Sequence, residues 1–96
     1  MQMITRTLER HGEDLRGYRV VLFGSRATST AKPRSDFDIG VDGPSPLPPA
    51  IFSELAEEFE ELPTLYSIDW VDLQTTSPQF REQALKTAIT LHHEEG

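Results

Sequence analysis

Phe23-Gly24-Ser25-Arg26 and, further on, Ser35-Asp36-Phe37-Asp38-Ile39 decide how this chain is read. Ten residues, Arg26 to Ser35, separate Ser25 from Asp36. Before the glycine, Tyr18-Arg19-Val20-Val21-Leu22-Phe23 is a short apolar run with β-branched and aromatic residues, the pattern of a buried strand. Gly-Ser ends that run. Asp36 to Val41 then alternates polar and apolar residues, which predicts a second strand over about 36–42. Alternation puts Asp36 and Asp38 on one face and Phe37, Ile39 and Val41 on the other. The two carboxylates stand roughly 6.6 Å apart along such a strand. Both can then reach a shared pair of divalent ions, which in two-metal sites lie about 3.5–4 Å apart.

Outward from this centre, the chain supplies a frame. Ile4, Leu8, His11 and Leu15 fall at helical spacing, which predicts a first amphipathic helix over roughly 2–15, ended by Gly17. Ser25 to Ala31 reads as a short helix capped by Ser25. The free amides of its first turn, with the helix dipole, form an anion site, and Gly24 lets a phosphate approach the backbone. The glycines match neither a Walker A loop nor Gly-x-Gly-x-x-Gly. Lys32-Pro33-Arg34-Ser35 is a loop. The Pro-rich connector at 42–49 leads into a helix with the stripe Ile51, Phe52, Leu55, Phe59 and Leu62, and its many glutamates form a solvated face.

Tyr66 to Leu73 reads as a third strand. Asp69 shares a face with Ser67 and Val71, Asp72 lies on the opposite face, and Trp70 fills a core. Ser77 caps a last helix that begins at Pro78. Phe80, Ala84, Ala88 and Leu91 form one stripe of it; Leu85 and Ile89 form a second. The second stripe is either a widening of the core stripe or a contact with a partner protein or a second copy of the chain. His92 and His93 are read as frayed surface residues. The expected fold class is α+β (α/β): a small mixed sheet of about three strands, helices on one face and carboxylates on the other.

Ninety-six residues suit a single domain, 1–96. The absence of cysteine excludes a disulfide framework and thiolate metal sites. No apolar run approaches the ~20 residues of a membrane span, and the start is no signal peptide, so the expected setting is cytoplasmic. The net charge of −7 is uneven: residues 1–35 hold seven basic and three acidic residues, and residues 36–96 hold two and thirteen. Nucleic-acid affinity depends on many Lys and Arg contacts, so a nucleic acid is not expected as direct acceptor. Arg26, Lys32 and Arg34 cluster instead around the Gly-Ser turn, beside the anion site.

Gly24-Ser25-Arg26-Ala27 with Ser35-Asp36-Phe37-Asp38-Ile39 resembles the signature of the DNA polymerase beta nucleotidyltransferase superfamily. In so short a chain it is most similar to the minimal nucleotidyltransferase (MNT) branch, often the antitoxins of HEPN–MNT pairs. Ser67 to Leu73 and Thr75 to Arg81 extend the resemblance over most of the chain. Thr28 and Ser29 depart from it, standing where many relatives carry a basic residue and a glycine. The resemblance implies that Asp36, Asp38 and Asp69 are catalytic and hold two Mg²⁺ ions, with Asp72 as the fallback for the third carboxylate. It implies that Gly24, Ser25 and Arg26 grip the triphosphate of ATP. The implied activity moves AMP to a hydroxyl, expected to be a tyrosine, on a cognate HEPN toxin. The alternative is a non-catalytic antitoxin that neutralises its partner by binding alone. Self-association through the last helix is a further expectation.

Overall fold

Alternate residues of two antiparallel strands set the two faces of the sheet. In the computed structural model of the chain, residues 2–24, 37–63 and 67–93 are described. The predicted capped helix after Gly24, the following loop, and Ser25, Arg26 and Asp36 lie outside the described residues. Strand β1 (Arg19–Phe23) pairs antiparallel with β2 (Phe37–Asp42), placing Val20 opposite Val41 and Leu22 opposite Ile39. These four side chains are buried on one face. Val21 and Phe23 turn to the other face and are buried there in a second cluster.

Helices α1 (Gln2–Arg10) and α2 (Pro49–Glu60) cover the first face. Ile4 and Leu8 of α1, Leu55 and Phe59 of α2, and Leu15 and Leu47 from the connections complete that core. Full burial of one such side chain contributes roughly 1.5–3 kcal/mol. Pro49 starts α2, where its missing N–H is no loss. Strand β3 (Ile68–Asp72) pairs parallel with β2, and α2 makes the crossover between the two. Trp70 behaves as the core residue expected: it stacks on Phe52 at 5.3 Å, meets Phe59 edge-on at 5.2 Å, and donates its indole N–H to the Phe52 carbonyl at 3.0 Å.

After a 3₁₀ turn (Leu73–Thr75) comes α3 (Pro78–Lys86), whose Ser77 cap accepts the Phe80 amide at 3.1 Å. The chain then departs from the sequence reading. The last helix does not run on to Leu91. It stops at Lys86, and Ile89–His93 forms strand β4, antiparallel to β1. The sheet therefore has four strands in the order β3-β2-β1-β4. The reason is tertiary: β1 has an open edge, and the β-branched pair Ile89-Thr90 fits it better than another helical turn. Leu85 and Ile89 thus share no helical stripe, which removes the basis for self-association or docking through one. His92 and His93 are strand residues opposite Val20 and Arg19, not frayed ends. Helix α3 lies on the second face, where Ala84 and Leu85 pack with Val21, Phe23 and Leu73.

The first helix is also shorter than its apolar spacing suggested. It ends at Arg10, and His11 begins a run of turns that reaches Gly17, a residue with φ of 86°. His11 is buried beneath α2, where its ring nitrogens meet Asp14 at 3.1 Å and Glu58. Arg10 reaches the other oxygen of Glu58 at 2.7 Å.

Candidate active site

The register of three strands brings the described members of the sequence-predicted site into one row. Phe23 lies opposite Asp38 across β1 and β2, and Asp38 lies opposite Asp69 across β2 and β3. Directly opposed residues project to the same face, so Phe23, Asp38 and Asp69 share the second face, at its edge. Adjacent strands lie about 4.8 Å apart, so two acidic side chains stand one strand spacing from each other. Asp69 is exposed and Asp38 half-buried, so both are open to solution. Like charges directly opposite are destabilising, and nothing in core packing calls for this pair.

Gly24 closes the row at the end of β1. Its φ of 74° is a left-handed conformation that L side chains rarely adopt. A Cβ there would also collide with the Asp38 carboxylate, coming within 3.3 Å of its Cγ and closer still to Oδ2. Gly24 and Asp38 therefore touch, and the turn after β1 can only be made this close to the carboxylate by a glycine.

Asp72 is a different kind of carboxylate. It is buried on the face covered by α1 and α2, one oxygen accepting the Leu47 amide at 2.8 Å and the other the Gln74 amide at 2.9 Å. It caps the 3₁₀ turn and ties the connector before α2 to the end of β3. The sequence reading placed Asp69 and Asp72 on opposite faces, and they are.

Beneath the row, Gly40 leaves room for its neighbours. A Cβ at Gly40 would stand 3.0 Å from Leu73 Cγ and 3.2 Å from Phe23 Cε1. At the far end of β2, Asp42 accepts both Arg81 Nε (2.9 Å) and Nη2 (2.8 Å), and Gln74 Nε2 at 3.0 Å. Partial burial works against its charge, but the bonds from Arg81 and Gln74 prevail and hold its pKa below the usual value. This clasp fixes α3 against the sheet. The sequence reading missed it, because Asp42 and Arg81 lie 39 residues apart and neither shows a local signal.

A second group of ligand-type atoms, from His11, Asp14 and Glu54, lies within 4.8 Å of one another. It belongs to the helix-covered side, and the His11 ring is already held by Asp14 and Glu58. No helix among the described residues is long and apolar enough to cross a membrane.

Comparisons with known proteins identify the family and the fold. The family model "Polymerase beta, Nucleotidyltransferase" matches residues 3–95. A protein of Haemophilus influenzae named "Probable protein adenylyltransferase MntA" is 35% identical over 78 residues, which are 81% of this chain and 68% of that protein. A crystal structure of a toxin–antitoxin with AMP-PNP superposes with a TM-score of 0.69 at 23% identity, covering 93% of this chain and 73% of that one. A chain of the structure of a tri-AMPylated HEPN toxin of Shewanella oneidensis in complex with an MNT antitoxin gives a TM-score of 0.62 at 21% identity, covering 96% of this chain and 71% of that one.

Proposed function

This chain belongs to the polymerase beta nucleotidyltransferase family, and from that premise we propose that it is an antitoxin of the MNT type that transfers AMP from ATP to a tyrosine hydroxyl of a cognate HEPN toxin. The observation that carries the reading is the row Gly24–Asp38–Asp69, where a glycine touches Asp38 and Asp38 opposes Asp69, both carboxylates being open to solution. The name of the Haemophilus protein and the contents of the two superposed complexes support the choice of AMP and of a HEPN partner. The proposed setting is cytoplasmic, where ATP is at hand.

The donors suit Mg²⁺, a hard ion that takes carboxylate oxygens beside nucleotide phosphates. Asp36, Asp38 and Asp69 would hold two such ions, which when bound neutralise triphosphate charge and favour the deprotonated form of an attacking hydroxyl. Asp72 is left out of this reading because both of its oxygens are engaged on the other face.

The remaining work falls to the chain itself. Gly24 opens the backbone to the triphosphate, and Ser25 and Arg26 contact it as proposed ligands. The acceptor oxygen forms a bond to the α-phosphorus as the bond from that phosphorus to the bridging oxygen of the β-phosphate breaks. Pyrophosphate leaves, and the hydroxyl proton passes to solvent. Catalysis of this kind rests on positioning and on fixed charges at the developing charge.

The test is intact-mass spectrometry of the HEPN partner after incubation with this protein, ATP and Mg²⁺. A mass increment of one or more AMP units on the partner, absent with Asp38→Asn, is the expected result. Extension of a tRNA or an oligonucleotide instead would replace the protein acceptor with a nucleic acid. A tight complex with neither product would make the protein a binding-only antitoxin.

A further inference from the structure

Phe80 is one of three large hydrophobic residues left exposed among the described residues, with Met3 and Ile89. It alone borders the carboxylate row. Its ring meets that of Phe23 edge-on, with centroids 5.9 Å apart and planes at 88°. Phe23 is itself the strand partner of Asp38. The Phe80 backbone is anchored although 45% of the residue is exposed. Its amide is held by the Ser77 cap at 3.1 Å, and the next residue, Arg81, is clamped to Asp42 by two bonds. An exposed aromatic on a backbone anchored in this way is not explained by the core, which it borders and does not enter.

We infer that Phe80, backed by Phe23, is the stacking platform for the nucleobase of the bound triphosphate. The inference rests on the nucleotidyltransferase reading and adds a residue to it. The phosphates are drawn to the Gly24 end of the row, and the flat apolar ring stands one aromatic ring beyond it. A nucleobase has an apolar face of matching size, and a stacked base gains affinity from an aromatic side chain with little regard to its identity. Phe80 therefore contributes to how tightly a nucleotide is held and little to which base is chosen.

The test is calorimetric titration of the full chain, with Mg²⁺, by ATP and separately by inorganic tripolyphosphate. Phe80→Leu keeps apolar packing against Phe23 while removing the aromatic face, so the fold is retained, which a melting curve checks. The expected result is a Kd for ATP raised about fivefold or more, in line with the loss of one base stack. The Kd for tripolyphosphate should stay unchanged, and Phe80→Trp should restore ATP affinity. Equal ATP affinity in wild type and Phe80→Leu would overturn the stacking role while leaving the phosphate site intact. Equal ATP affinity together with loss of partner binding would reassign Phe80 to the protein interface. A wild type that binds neither ATP nor tripolyphosphate would overturn the stacking role and the nucleotidyltransferase reading together.

Discussion

Asp38 faces Asp69 directly across two parallel strands, with both side chains on the sheet face that α1 and α2 leave uncovered. Opposed like charges on neighbouring strands cost roughly 0.2–1 kcal/mol. Neutralising Asp69 should leave the metal-free protein as stable as before, or slightly more so. Divalent metal should stabilise the wild type by mass action: at about ten times Kd the gain is ~1.4 kcal/mol. In a domain of this size that raises Tm by about 5–10 °C. Thermal melts with and without millimolar Mg²⁺ check this, and Asp38→Asn or Asp69→Asn should abolish the rise.

Gly24→Ala should damage the site more than the fold. The left-handed backbone costs an alanine about 1–2 kcal/mol, and the new Cβ must push the Asp38 carboxylate aside. The expected outcome is a Tm lower by several degrees, a cooperative melt, and loss of the Mg²⁺-dependent rise. A variant with wild-type metal response would separate Gly24 from the carboxylates.

Asp69 and Asp72 should fail in different ways. Asp72→Asn presents one acceptor and one donor to two backbone amides, so one buried N–H loses its partner, at about 1–3 kcal/mol. It should melt well below wild type and keep its specific activity at a temperature where it is folded. Asp69→Asn should melt like wild type in the absence of metal and lose AMP transfer. Melting curves paired with the mass-spectrometric transfer assay distinguish the two.

Stability should peak in mildly acidic solution. Burial pulls the His11 pKa down, but its bonds to Glu58 and Asp14 and the nearby charges of Glu58 and Glu54 outweigh this and leave it raised above 6.5. That contribution is complete below about pH 6.5 and is lost as pH rises through the raised value. The bonds from Arg10 and His11 lower the Glu58 pKa below 4.5, and Arg81 and Gln74 lower that of Asp42 below 3.8. Those contributions are present above the ordinary carboxylate values and are lost as pH falls through the lowered ones. Tm should therefore decline above about pH 6.5 and again below about pH 4. His11→Gln should flatten the alkaline decline and leave the part of the acid one that belongs to Asp42.

Local alternation was enough to read β2 and β3 and to assign Asp69 and Asp72 to opposite faces, because a strand fixes side-chain direction by parity alone. The end of the chain was not legible in the same way. Phe80, Ala84, Ala88 and Leu91 keep helical spacing past the true end of α3. What turned Ile89–His93 into a strand is the edge of β1, which exists only in the folded sheet. The short α1 has a similar cause: His11 continues the apolar spacing, yet its place is set by Glu58, 47 residues away. The Asp42–Arg81 clasp left no trace in the sequence, since a carboxylate and a guanidinium are ordinary on any surface until the fold joins them.

Gly40 gives the row a direction. Because it carries no side chain, Leu73 and Phe23 close over it directly below Asp38. The ground under the carboxylates is thus hydrocarbon, and field lines that water or a buried dipole would otherwise absorb are forced outward. A counter-ion arriving from solution meets the pair on its open side, since hydrocarbon lies beneath it. A larger residue at Gly40 would tilt that ground without touching any charged group, so the aim of the site depends on an atom that is not there.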